Sequence, residues 1–162
     1  MERKTIDIVQ ELLAAEQASI ALRLAESTVF VSPVSAPDSA ALGRIADEIN
    51  EHSAWLADLL TRAGRSPGPR FSDLSTADLH FQEISFALPR LIADLTRLAQ
   101  LCERAATGVA TDQTVAPVVA RMTQRHRKHL ETLEALSGSA ADESSPPAAG
   151  NAAPTPSDAP TA

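Results

Sequence analysis

The sequence predicts an all-α protein: a four-helix bundle followed by a disordered C-terminal tail. Hydrophobic residues make up 44% of the 162 residues but aromatic residues only 3%, so Ala and Leu supply most of the apolar surface. That composition favours helix over sheet. Apolar residues also recur at alternating steps of three and four in four long stretches, the spacing of helices that bury one face. Pro and Gly stand between these stretches, as expected for connections.

The four stretches define the boundaries of the predicted helices. They cover about residues 5–29, 37–64, 76–107 and a last stretch that ends near residue 136. Thr5 is a plausible N-cap for the first helix, and Thr111 or Thr114 for the last. Gly64 is expected to end the second helix. Pro89 lies inside the third helix and predicts a kink or bulge there, because proline removes one backbone donor and its ring clashes with the carbonyl of Ser85.

The remaining segments predict one domain and a tail. Two prolines around Gly68 keep residues 65–74 out of a helix, so this segment either crosses along the bundle or forms a hairpin. Its length does not distinguish the two. Beyond residue 136 the periodicity ends in a stretch rich in Pro, Ala and Ser, which cannot bury enough apolar surface to fold. We therefore predict a bundle domain over residues 1–136 and a disordered tail over 137–162.

Four polar residues occupy positions in the apolar stripes where leucine is expected: Glu16, His52, His126 and His129. A buried polar group without a partner costs about 1–3 kcal/mol, so these groups must pair, reach water or bind something. Imidazole and carboxylate groups that converge from three helices are suitable ligands for zinc or iron. With the acidic residues beside the stripes, the candidate metal ligands are Glu16, Glu48, His52, Glu83, His126 and His129.

At these residues the chain resembles the ferritin-like superfamily, which includes bacterioferritin and rubrerythrin. The resemblance covers about residues 5–136. It rests on Glu16 in the middle of helix 1, on residues 47–60 of helix 2 with the Gly-Arg-Ser-Pro sequence that follows, and on residues 124–133 of helix 4. It implies a bundle in which helices 2 and 4 each supply a Glu-x-x-His pair, helices 1 and 3 each supply a carboxylate, and two irons bind between them.

Only part of that ligand pattern is present. Glu16, His52 and His129 match it residue by residue, whereas Ile49 stands three residues before His52 and His126 stands three before His129. The alternatives are a mononuclear site, a weak site or no site. With iron and an open coordination position, the implied activity is oxygen or peroxide chemistry. A metal-free interaction module that uses its outer faces for self-association, or for a partner protein, is the competing hypothesis.

Composition limits the other classes of function. The net charge of −7 argues against a general nucleic-acid binder, and no apolar run reaches the roughly 18 residues of a membrane span. The N-terminus does not resemble a signal peptide, so we expect a cytoplasmic protein. The single cysteine, Cys102, continues an apolar stripe and is expected to be an inert core residue. Trp55 and Phe86 are expected to be packing residues.

Overall fold

The computed structural model describes residues 1–26, 36–68 and 84–143, and all regular secondary structure in them is helical. The helices are α1 (Arg3–Gln17), α2 (Ile20–Glu26), α3 (Ala36–Arg62), α4 (Ile84–Gly108) and α5 (Ala116–Glu143). The all-α prediction is confirmed, and α1 and α2 together correspond to the first predicted helix. No helix of the described part has a stretch long and apolar enough to cross a bilayer.

The composition of the two halves of the core shows which helices are parallel and which are antiparallel. In one half, α1 packs with the C-terminal parts of α3 and α4 and the N-terminal part of α5. In the other half, α2 packs with the N-terminal parts of α3 and α4 and the C-terminal part of α5. Helices α3 and α4 are therefore parallel to each other and antiparallel to the α1–α2 rod and to α5. The C-terminal end of α3 and the N-terminal end of α4 therefore lie at opposite ends of the bundle. Residues 69–83, which include much of the segment predicted to cross over or form a hairpin, lie outside the described residues.

The predicted apolar stripes face the core. Ile49 in α3, Leu95 in α4 and Met122 in α5 are fully buried, as are the neighbouring stripe residues within a few per cent. Burial follows the 3.6-residue period because each helix meets its neighbours along one face. Phe86 is an exception among the predicted packing residues, since 73% of it is exposed.

Two predicted N-caps are wrong. Thr5 is buried inside α1, and the Glu2 carbonyl accepts the N–H of Ile6 at the start of that helix. Before α5, the carboxylate of Asp112 accepts the N–H groups of Thr114 and Val115 at 3.0 and 3.1 Å. An aspartate caps this end better than a threonine because its charge also favours the positive end of the helix.

One helix boundary also differs from the prediction. Helix α5 continues to Glu143 instead of ending near residue 136. The apolar stripe stops there, but the helix continues through Ser-Gly-Ser-Ala-Ala-Asp-Glu, in which only the two alanines and the glutamate have high helix propensity. The predicted helical residues 27–29 and 76–83, and the remainder of the predicted tail from residue 144, lie outside the described residues.

The first rod is interrupted at Ala18 and Ser19, between α1 and α2. The N–H of Ile20 donates to the carboxylate of Asp94 on α4 at 2.9 Å, instead of to its helical acceptor, the carbonyl of Glu16. The prediction of one continuous helix fails here because the competing acceptor comes from a distant part of the chain.

Gly64 ends α3, as predicted. Its φ is +70°, a conformation that favours glycine. The N–H of Gly64 donates to the Thr61 carbonyl and the N–H of Arg65 to the Leu60 carbonyl, both at 2.9 Å. These two bonds form a Schellman motif that satisfies the last carbonyls of the helix.

Replacing Gly64 with alanine is expected to lower the free energy of unfolding by about 1–2 kcal/mol, because a Cβ disfavours the left-handed conformation. The added atom itself meets nothing within 4 Å. Gly43→Ala is the matched control: Gly43 lies inside α3, also with open space around a Cβ, and should stabilise by about 0.5–1 kcal/mol. Urea unfolding measures both changes. Equal effects of the two substitutions would contradict the assignment.

Candidate metal centre

Three residues from three helices meet in the middle of the bundle: Glu16 of α1, His52 of α3 and His126 of α5. All three have 0% exposure. One potential ligand atom from each lies within 4.8 Å of the others. Among the described residues, no other group of three or more histidine, cysteine or acidic side chains comes as close together.

The polar atoms of this cluster are incompletely paired. Glu16 Oε1 lies 2.7 Å from His126 Nε2, a hydrogen bond. Glu16 Oε2 lies 3.4 Å from His52 Nδ1, but this contact is not aligned as a hydrogen bond. Oε2 of Glu16, both ring nitrogens of His52 and Nδ1 of His126 are buried without a hydrogen-bond partner among the described residues. Buried polar atoms are rarely left this way, so the cluster has the character of a site for a ligand.

The spacing of these atoms is suited to a metal ion. Zinc binds imidazole nitrogen and carboxylate oxygen at about 2.0–2.2 Å, which places the ligand atoms of one tetrahedral ion roughly 3.3–3.6 Å apart. The Glu16–His52 contact of 3.4 Å is already in that range, and the Glu16–His126 contact of 2.7 Å is shorter. A cation between the three side chains requires that Glu16 and His126 separate slightly, that the ligand atoms, which all lie within 4.8 Å of one another, adjust to this range, and that the imidazoles turn towards the ion.

The electrostatic surroundings favour the ionised form of the Glu16 carboxylate, which is the form that binds a cation. Burial opposes ionisation of Glu16, but its hydrogen bond with His126, the close approach of His52 and the electrostatic attraction of both rings outweigh burial and lower the pKa of the Glu16 carboxyl. Cys102 behaves in the opposite way. Burial, and then the negative charges of Glu16 and Glu103, raise the pKa of its thiol to about 12. This buried thiol stays protonated at neutral pH, in agreement with the expected core role.

A second pair lies between the cluster and the surface. His129 Nε2 is 3.1 Å from Glu48 Oε2. The His129 ring is almost fully buried, with its centroid 6.0 Å from that of His126. The Glu48 side chain is 39% exposed and also faces Arg125, whose Nε lies 3.5 Å from Oε2. The pair therefore links the buried imidazoles of α5 to solvent.

Trp55 covers the outside of the site. Its ring lies 5.4 Å from the His52 ring. The guanidinium groups of Arg121 and Arg125 lie over it, 4.7 and 4.8 Å from its centroid, and Arg125 is held by Glu51 at 2.7 Å. Trp55 thus packs, as predicted, between the His52 ring and the guanidinium groups of Arg121 and Arg125. Its position one helical turn from His52 is the sequence signal for this role.

The six candidate ligands fall into three groups. The structure brings Glu16, His52 and His126 together, places His129 and Glu48 in the adjacent pair, and leaves Glu83 outside the described residues. The expected trio of Glu16, His52 and His129 thus differs from the observed one in a single histidine. His126 and His129 share one face of α5, so only the axial position of the helix decides which of them meets Glu16.

Burial of His129 predicts loss of stability in acid. Burial, opposed by Glu48 and assisted by the neighbouring histidines, lowers the pKa of His129 from 6.5 to about 4. Between these values the unfolded chain binds a proton that the folded chain does not, so the free energy of unfolding falls as the pH drops from about 6.5 to about 4. In urea unfolding at several pH values, His129→Gln should show a shallower decline than the unsubstituted chain. Parallel declines would show that His129 does not contribute.

Comparison with protein-family models, with curated proteins and with solved structures finds no match for this chain. The case for a function therefore stands on the geometry of the buried cluster and its surroundings.

Proposed function

We propose that this protein binds one divalent transition-metal ion, iron or zinc, through Glu16, His52 and His126. The observation that carries the proposal is the convergence of three fully buried ligands from three helices, with polar atoms that lack other partners. Folding this cluster without a bound group leaves desolvated nitrogen and oxygen atoms unpaired, which is costly. A cation satisfies them and balances the Glu16 charge.

The ligand set indicates what chemistry a bound ion would support. Two imidazoles and one carboxylate are the three protein ligands of many non-haem iron sites and of some catalytic zinc sites. Three protein ligands leave open coordination positions. With iron such a site supports oxygen or peroxide chemistry, and with zinc it activates water. The His129 ring lies beside that of His126 and contacts Glu48, which supports a role for His129 as a further ligand or as a proton carrier that Glu48 connects to solvent.

We also propose that the chain is a ferritin-like bundle whose metal site has fewer ligands than the two-iron site of that family. The helix directions support this proposal: α3 and α4 are parallel, while their other neighbours are antiparallel, as in ferritin-like bundles, which have one long crossover connection. Glu16, His52 and the histidines of α5 come from the helices that supply ligands in that family. Helix α4 contributes no carboxylate to the cluster in its described residues, which favours one ion over two.

Metal analysis of the purified chain tests the proposal. We expect about one iron or zinc per chain after exposure to the metal and removal of the excess. His52→Ala/His126→Ala should lose it, whereas His129→Ala, a control on the same helix, should retain it with reduced affinity. A chain that takes up neither metal, or a double variant with unchanged content, contradicts the proposal. The metal-free interaction module would then be the better hypothesis, and light scattering in the same preparation would give its oligomeric state.

A further inference from the structure

We propose that Asp94 of α4 is a positioning residue for the metal centre. Asp94 caps the start of α2 and so keeps α1 and α2 as separate helices. Because α1 ends there, Glu16 in its last turn is directed towards the two histidines. As a statement about metal binding, this inference rests on the proposed function.

Asp94 forms a buried junction between two helices. It is 8% exposed, although it is an acidic residue on an otherwise apolar face of α4. Its Oδ2 accepts the Ser19 hydroxyl and the Ile20 N–H, both at 2.9 Å. Its Oδ1 accepts Nη2 of Arg97 at 2.8 Å. The carboxylate therefore serves as an N-cap for α2 that is supplied by another helix, 75 positions along the chain from Ser19.

The junction acts on the backbone of Glu16 itself. In a continuous α-helix, the N–H of Ile20 donates to the Glu16 carbonyl. Asp94 takes that donor, and the Glu16 carbonyl instead accepts the N–H of Ser19 at 3.1 Å, in a tighter turn. Nη2 of Arg23 donates to the next carbonyl, that of Gln17, at 3.3 Å. The helical hydrogen bond that is lost at the interruption is therefore the one that the backbone carbonyl of Glu16 would accept.

The interruption also lets both parts of the rod face the core. Glu16 ends the buried face of α1, and Ala21 and Leu22 are buried on α2. At about 100° per residue, an unbroken helix would direct Ala21 and Leu22 roughly 120–140° away from Glu16. The reset of the helical phase between the two helices lets α2 bury Ala21 and Leu22 while α1 directs Glu16 towards His52 and His126. Asp94 maintains that reset.

Asp94→Ala tests the inference with two readouts. The first needs no metal: the imidazole ¹⁵N shifts of His126 report its 2.7 Å contact with Glu16. We expect these shifts to change in Asp94→Ala, because Ile20 returns to the Glu16 carbonyl and moves the carboxylate. The second is the affinity for zinc or cobalt, which should fall about 10–100-fold, the usual effect of losing a residue that orients a ligand. Asp94→Asn keeps an acceptor oxygen and should retain most of both properties.

Leu88→Ala is the control for stability alone. Leu88 is buried in the same half of the core on α4, so its truncation destabilises the bundle without touching the junction. It should leave the His126 shifts and the metal affinity of the folded chain unchanged. A folded Asp94→Ala variant with wild-type His126 shifts overturns the inference, and so does one whose affinity loss matches that of Leu88→Ala.

Ser19→Ala keeps the test decisive if Asp94→Ala does not fold. It removes one donor to Asp94 and the hydroxyl that accepts the Ala21 N–H at 3.2 Å, and it leaves the Ile20 donor in place. It should therefore change the His126 shifts and the metal affinity in the same direction by less. Wild-type values of both in Ser19→Ala would overturn the inference in that case. If the unsubstituted chain binds no metal, the proposed function fails, while the His126 shifts still decide whether Asp94 positions Glu16.

Discussion

Saturating zinc is expected to raise the midpoint of thermal unfolding by about 5–11 °C. A ligand present at 100 times its Kd, and bound only by the folded chain, stabilises it by about 2.7 kcal/mol. For a chain of this size, each kcal/mol shifts the midpoint by about 2–4 °C. The shift should disappear when Glu16, His52 and His126 are all replaced by leucine, because the ligand atoms are then gone. Calorimetry with and without the metal measures it.

The control for this result is His129→Ala, which removes an imidazole of α5 that lies outside the trio. It should keep most of the shift. A shift that survives in the triple leucine variant would show that zinc acts at another site, such as the exposed acidic side chains. The absence of any shift with zinc or iron in the unsubstituted chain would favour the metal-free module.

Glu16→Ala alone is expected to lower the free energy of unfolding of the metal-free chain by about 3–5 kcal/mol, because it leaves buried histidines without their charged partner. Replacing Glu16, His52 and His126 together by leucine should instead be neutral or stabilising by up to about 4 kcal/mol, since apolar side chains of similar volume need no partners. Urea unfolding of metal-free protein compares the two variants.

The stability of the triple variant relative to the unsubstituted metal-free chain carries the information. If the triple variant is less stable than the unsubstituted chain, the three polar side chains stabilise the fold through their own contacts, and stability explains their presence. If it is more stable, the cluster costs the protein stability. A costly polar group in a core is expected at functional sites, where binding and not folding accounts for it.

Much of the burial pattern could be predicted from local spacing. Glu16, His52, His126 and His129 stand in apolar stripes, and all four are buried in the structure. Gly64 marks the end of α3 by its freedom to adopt a positive φ. These properties depend on residues within a few turns of one helix, so the sequence carries them directly.

The partners of the buried groups could not be predicted in the same way. His126 and His129 are equally good candidates from their spacing, and only the axial position of α5 against α1 gives His126 to Glu16 and His129 to Glu48. The direction of α4 is likewise decided by the packing of whole helices, since residues 65–74 are compatible with either connection.

Taken by itself, the sequence determined that this chain forms long helices, which face of each is buried, and that acid and imidazole groups are buried with the leucines. The tertiary structure decided where the first rod is interrupted, which histidine meets the carboxylate, and that α3 and α4 are parallel. The physical reason is the distance along the chain over which the interactions act. Periodicity and helix propensity act between near neighbours in the chain, whereas the capping of α2 by Asp94 and the meeting of Glu16 with His126 depend on how separate helices are rotated and shifted against one another.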